Sequence, residues 1–150
     1  MTARIDYMKV APNAVKAVYG LEHYISAQSG LDHGLIHLIK LRASQINGCA
    51  YCVDMHTKEA RSHGFSEQWI ALVCVWPEAV VFDARERAVL AWVEAVTNIS
   101  TTGAPDLEFN GLRDHFTEAE IVNLTVAIGT INVWNRLAMG MRQHHDIDAH

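Results

Sequence analysis

The sequence predicts an all-α fold of six or seven helices in a single domain over residues 1–150, on three observations. Apolar residues recur at helical spacing through most of the chain. Helix start and stop signals punctuate them, among them two capping boxes. The only hint of a strand is Val80-Val81-Phe82, too short to support a sheet.

The elements follow in order. Pro12 suits a first helical turn, and Val15, Val18, Tyr19, Leu21 and Ile25 form a stripe that ends before Gly30. A second stripe, Leu35, Leu38, Ile39, Ala43 and Ile46, stops at Asn47-Gly48, a turn signal. Asn47 is a suitable N-cap for a helix with Gly48 and Cys49 in its first turn, running to His63 and stopped by Gly64. Ser66 can cap the next helix, through Trp69, Leu72 and Val73 to Pro77. Asp83 and Glu86 form a capping box before Leu90, Val93 and Val96. Thr102 to Pro105 reads as a loop, and Asp106 starts a short helix ending near His115. Thr117 and Glu120 form the second capping box, before Ile121, Leu124, Ile128, Ile131 and Leu137. Several helices are apolar on more than one face, which predicts a second buried surface and hence a homo-oligomer.

Composition sets the frame. In 150 residues, 50% are hydrophobic and 19% charged, so the chain can bury a core without disulfide staples. A net charge of −5 gives no general pull toward nucleic acid. The longest uncharged run, Ile121 to Asn135, is too short for a membrane span and contains three asparagines. The opening segment MTARIDYMKVAPNAV has no apolar h-region, so a cytoplasmic location is expected. There is no flavin- or nucleotide-binding motif, so no cofactor is expected.

The three cysteines are unequal. Cys74 lies in the apolar stretch Ile70 to Trp76 and is expected in the core. Cys49 and Cys52 form a CxxC, and His56 completes a CxxCxxxH. On a helix the two thiols are neighbours, and His56 lies one turn beyond Cys52. Free amides at the helix start favour a thiolate at Cys49. His56 can take the proton of Cys52 or stabilise its charge. A thiol of pKa about 8.5 is only about 3% ionised at pH 7. Lowering it by about 2 units gives roughly three-quarters thiolate and needs about 2.7 kcal/mol. The dipole favours Cys49 as nucleophile and the histidine favours Cys52, so spacing alone leaves the choice open. A dithiol redox pair is the leading reading. A zinc site needs a fourth ligand, and no second CxxC or paired His-x-x-x-His completes one. Haem attachment is excluded because position 53 is Val.

The segment LIKLRASQINGCAYCVDMHTKEAR, Leu38 to Arg61, resembles the core of the alkylhydroperoxidase D-like proteins, within the carboxymuconolactone decarboxylase-like superfamily. Tyr7 to Ile25 resembles that family's first helix, Phe82 to Ala88 its acidic helix start, and Ile131 to Leu137 its last helix. The resemblance implies an all-helical subunit of a trimer or hexamer. It implies a peroxidase or disulfide-reductase cycle run by the CxxC; the expected reaction is reduction of a hydroperoxide, with a partner dithiol or lipoyl group as reductant. Transferred by position, Cys52 is the peroxidatic thiol, Cys49 the resolving thiol and His56 a proton relay. Two positions depart from the best-studied branch. Its glutamate twelve residues before the first cysteine is His37 here, and its histidine before the second cysteine is Tyr51. His37 is a candidate relay, with one of His37 and His56 neutral near pH 7 because two imidazoliums repel. Tyr51 is a candidate proton donor. Glu86 is a candidate replacement carboxylate, although its capping box explains it better.

Two other functions use the same residues. A decarboxylase of the superfamily's other branch does not depend on a CxxC, which this chain has. A redox sensor would use the disulfide as a switch, but a disulfide within one turn constrains little beyond it. Asn132, Trp134 and Asn135 are expected in helix packing or subunit contacts. His144, His145 and His150 are expected in a solvated tail.

Overall fold

The computed structural model describes residues 2–148. Nine α-helices and a 3-10 turn are found among them: α1 (Tyr7–Val10), α2 (Pro12–Ala27), α3 (His33–Asn47), α4 (Ala50–Ser62), α5 (Glu67–Leu72) with the 3-10 turn Val73–Val75, α6 (Ala84–Thr97), α7 (Ile99–Thr102), α8 (Asp106–Arg113) and α9 (Glu118–Met141). The fold is all-helical, as expected, but the six or seven helices become nine for local reasons. Pro12 has no amide to continue α1, so the segment resembling one first helix breaks at Ala11 (φ −134°, ψ 55°). A single extra turn, α7, follows Asn98 and is closed by Gly103 in the left-handed region (φ 68°). Val80-Val81-Phe82 forms no strand. Phe82 is buried in the core while Val80 is fully exposed.

Both capping boxes form. Asp83 Oδ1 accepts the Glu86 amide at 2.8 Å while Glu86 Oε2 accepts the Asp83 amide at 2.9 Å. Thr117 Oγ1 and the Glu120 carboxylate make the same exchange at the start of α9. Helix α3 lies at the centre and packs on α4, α6 and α9. Leu38, Ile39 and Leu41 of α3 meet Val89, Leu90 and Val93 of α6 and Leu124, Ile128 and Ile131 of α9 in one core. Each such side chain contributes about 1.5–3 kcal/mol by leaving water. The α2 stripe is buried only at Val15 and Ile25; Tyr19 and Leu21 are exposed. Val122 and Val133 of α9 are exposed as well. No helix among the described residues is long and apolar enough to cross a membrane.

Candidate redox site

The site is built by the α3–α4 corner. Gly48 ends α3 in the left-handed region (φ 73°), a conformation that favours glycine. The chain therefore turns at once, and Cys49 itself is the N-cap of α4. The expected cap, Asn47, does other work: its Nδ2 donates to Asn132 Oδ1 at 2.9 Å and Asn135 Oδ1 at 2.8 Å. Asn135 in turn donates to Ser44 Oγ at 3.0 Å. These amides, of which Asn135 is fully buried, lock the corner to α9, the packing role expected for Asn132 and Asn135.

Cys49 and Cys52 are joined by a disulfide, with Cα atoms 5.3 Å apart. The Cys52 amide donates to Cys49 Sγ at 3.3 Å, so the helix start does point a donor at the first sulfur. Both cysteines are about 1% exposed and form a small cluster with Ala138, against which Tyr51 packs.

His56 is buried on the same face, one turn beyond Cys52. Its Nδ1–H donates to Glu59 Oε2 at 2.8 Å. A carboxylate only accepts, so this contact fixes the proton on Nδ1. Nε2 is buried and has no protein partner among the described residues. The hydrogen bond from His56 holds the Glu59 carboxyl below its ordinary range, against the opposing effect of burial. Lys40 stands nearby, paired with Glu22 at 2.6 Å.

His37 is buried among His63 and Phe65, with ring centroids 4.9 and 5.4 Å away. Burial pushes its pKa down to about 4, with His63 adding to the effect. It is therefore neutral at pH 7. The expectation that one imidazole is neutral is met, but burial is the leading cause and His56 a minor one.

Two cavities flank the disulfide. One of about 210 Å³ reaches Cys52 and Glu59 between Tyr7, Tyr19, Met55 and Trp134. The other, about 380 Å³, reaches Cys49 and is lined by Arg142, His144 and His145. Tyr51 and Ala138 line both and stand between them. His144 and His145 are exposed, as expected of the tail, yet border the Cys49 cavity. His150 lies outside the described residues.

One further sequence expectation is revised. Cys74 is exposed rather than in the core. The helix from Ser66 tightens to a 3-10 turn ahead of Pro77, which turns Val73 inward and Cys74 outward. Glu86 belongs to its capping box and accepts Trp69 Nε1 at 3.2 Å, so it is no replacement for the relay carboxylate. Glu59, the carboxylate that does contact His56, was not singled out, although its i+3 spacing from the motif histidine is a signal for such a pair. No group of three or more His, Cys, Asp or Glu among the described residues is arranged to hold a metal ion.

An all-helical chain carrying a CxxC at a helix start and a buried histidine one turn on defines a class of thiol-bearing helical protein. Residues 12–95 match the Carboxymuconolactone decarboxylase family, and the chain belongs to that family, with an alkylhydroperoxidase D-like fold. A crystal structure of an Agrobacterium tumefaciens protein of unknown function, described as a candidate antioxidant defence protein AhpD, is 58% identical. It superposes with a TM-score of 0.95 over 98% of this chain and 100% of that one. The uncharacterized protein YdfG of Bacillus subtilis is 38% identical over 94% of this chain and 95% of its own length. An uncharacterized peroxidase-related protein of Ralstonia eutropha, described as an alkylhydroperoxidase AhpD core, shares the fold at 22% identity. Its TM-score is 0.82, over 93% of this chain and 74% of that one.

Proposed function

We propose that the chain is a thiol-dependent hydroperoxide reductase acting in antioxidant defence. The observation that carries this reading is the Cys49–Cys52 pair beside a buried, tautomer-fixed His56, opening through Cys52 onto an aromatic pocket. The Cys52 thiolate attacks the terminal oxygen of ROOH. The O–O bond breaks, Cys52 becomes a sulfenic acid, and the alkoxide leaves with the proton His56 had taken from the thiol. Cys49 then attacks the Cys52 sulfur, releasing water and closing the disulfide. His37 is the outer imidazole of the relay, neutral at pH 7. Tyr7, Tyr19 and Trp134 around the pocket suit an organic hydroperoxide with an apolar substituent.

Two electrons return from a dithiol, either a protein thiol pair or a lipoyl group. Its thiolate attacks Cys49 and displaces Cys52; its second sulfur then breaks the mixed disulfide and leaves as the carrier's own disulfide. The cavity at Cys49, lined by Arg142, His144 and His145, supports entry of an anionic sulfur from that side. The subunit works as one helical domain in a homo-oligomer, a trimer or hexamer, which the exposed apolar residues on α2 and α9 support. Light scattering giving a monomer would contradict the assembly.

The test is consumption of cumene hydroperoxide with dithiothreitol as reductant. Cys52→Ser is expected to lose turnover, and Cys49→Ser, assayed with dithiothreitol removed, to consume about one equivalent and stop. Turnover that survives in Cys52→Ser overturns the reading. Carboxymuconolactone turnover insensitive to thiol alkylation favours the decarboxylase alternative. Oxidation that changes a partner or the assembly without turnover favours the redox sensor.

A further inference from the structure

We propose that Glu59 is the positioning carboxylate of this site, supplying from α4 the negative charge that the resembling branch supplies from the position of His37. The proposal deepens the peroxide-reductase reading and rests on it for the identity of the substrate, but not for its own test. Its basis is a side-chain contact and the charges around it. Glu59 Oε2 accepts Nδ1–H of buried His56 at 2.8 Å, which leaves Nε2 as the basic nitrogen. His37 cannot take the carboxylate's part, because burial among His63 and Phe65 keeps it neutral.

The groups facing Glu59 are few. From its own helix come His56 and the helix-end His63, whose Nδ1 bonds the Glu59 carbonyl at 2.9 Å. From α3 come Lys40 and His37. From α2 comes Glu22, already paired with Lys40 at 2.6 Å. The α1 and α9 residues lining the pocket beside it, Tyr7, Met8, Trp134 and Ala138, bring no charge. With Lys40 and Glu22 offsetting each other and His37 neutral, Glu59 is the charge available to balance an imidazolium at His56. The proton path closes without any change at Glu59. His56 takes the Cys52 proton on Nε2, holds it as an imidazolium paired with Glu59, and gives it to the departing alkoxide. Glu59 neither donates nor accepts a proton.

The sign of the effect separates this role from simple electrostatics. A carboxylate acting directly on a nearby thiolate opposes its formation, so removing it speeds alkylation. A carboxylate acting through an imidazolium stabilises the thiolate–imidazolium pair, so removing it slows alkylation. Glu59→Gln keeps an acceptor for Nδ1–H and removes only the charge.

The test is iodoacetamide alkylation of Cys52 across pH 5–10, in a Cys49→Ser/Cys74→Ser background, with no peroxide present. Glu59→Gln is expected to slow alkylation at pH 7 by about threefold and to move its midpoint up by about one unit. Asp54→Asn, which removes a half-buried carboxylate paired with Lys58 on the same helix, is expected to stay within about twofold. Matching urea midpoints for the two variants confirm that both are folded. A Glu59→Gln rate that equals or exceeds the parent's overturns the proposal, as does an equal slowing by Asp54→Asn. Because no hydroperoxide is used, a negative result here is distinct from failure of the peroxidase reading.

Discussion

Helices α4 and α9 bury residues at the same helical period and put them to opposite uses. On α9 the buried positions are Ile121, Leu124, Ala127, Ile128, Thr130, Ile131, Asn135 and Ala138, nearly all of them packing. On α4 they are Cys52, His56 and Ala60, four residues apart, so two of three inward positions carry reactive groups. Such a helix gains little from the hydrophobic effect. It is held instead by its neighbours: the hydrogen-bonded side chains of Asn47, Asn132, Asn135 and Ser44 at its start and the α3 core behind it. The comparison teaches that here stability and reactivity sit on different helices, joined at one corner.

Substitutions should separate the two. Ile131→Ala, fully buried on α9, is expected to cost about 2–5 kcal/mol in urea unfolding. The alkylation midpoint of Cys52 should stay where it is, and a shifted midpoint would show that the two helices are not separable. Next comes pH. His37 has its pKa lowered from 6.5 to about 4, so the unfolded chain takes up the proton first. The stability it contributes is complete above pH 6.5 and drains as pH falls toward 4, by on the order of 3 kcal/mol. His37→Phe should flatten that slope in urea titrations across this window; an unchanged slope would show that His37 is not the group responsible. Asp83→Ala, which opens the α6 capping box, should cost about 1 kcal/mol and leave the site untouched. Smallest is Cys74→Ser: an exposed thiol far from the chemistry should change stability by no more than about 0.5 kcal/mol, with unchanged peroxide turnover.

Legibility in the sequence follows the range of the interactions. The all-helical class, both capping boxes and the CxxCxxxH corner depend on residues within four positions, and each reads directly from spacing. The cap of α4 misled because Asn47 is an excellent cap by type, yet its amide is claimed by Asn132 and Asn135, some ninety residues away. Cys74 misled because its apolar neighbours suggest burial, while the phase shift before Pro77 turns it outward. Glu59 was hidden differently. A charged residue beside Lys58 reads as a solvated helix face, and only the burial of His56 makes it part of the site. The two cavities were invisible, since Tyr7, Tyr19, Cys52 and Trp134 meet only once α1, α2, α4 and α9 are packed.

The most direct test of the central claim is to trap the sulfenic acid. Reduced Cys49→Ser protein is treated with one equivalent of cumene hydroperoxide in the presence of dimedone, and the adduct is located by fragment-ion mass spectrometry. One dimedone per chain on Cys52, none on Cys74, is the predicted result. An unmodified Cys52, with the peroxide unconsumed or the adduct elsewhere, would contradict it.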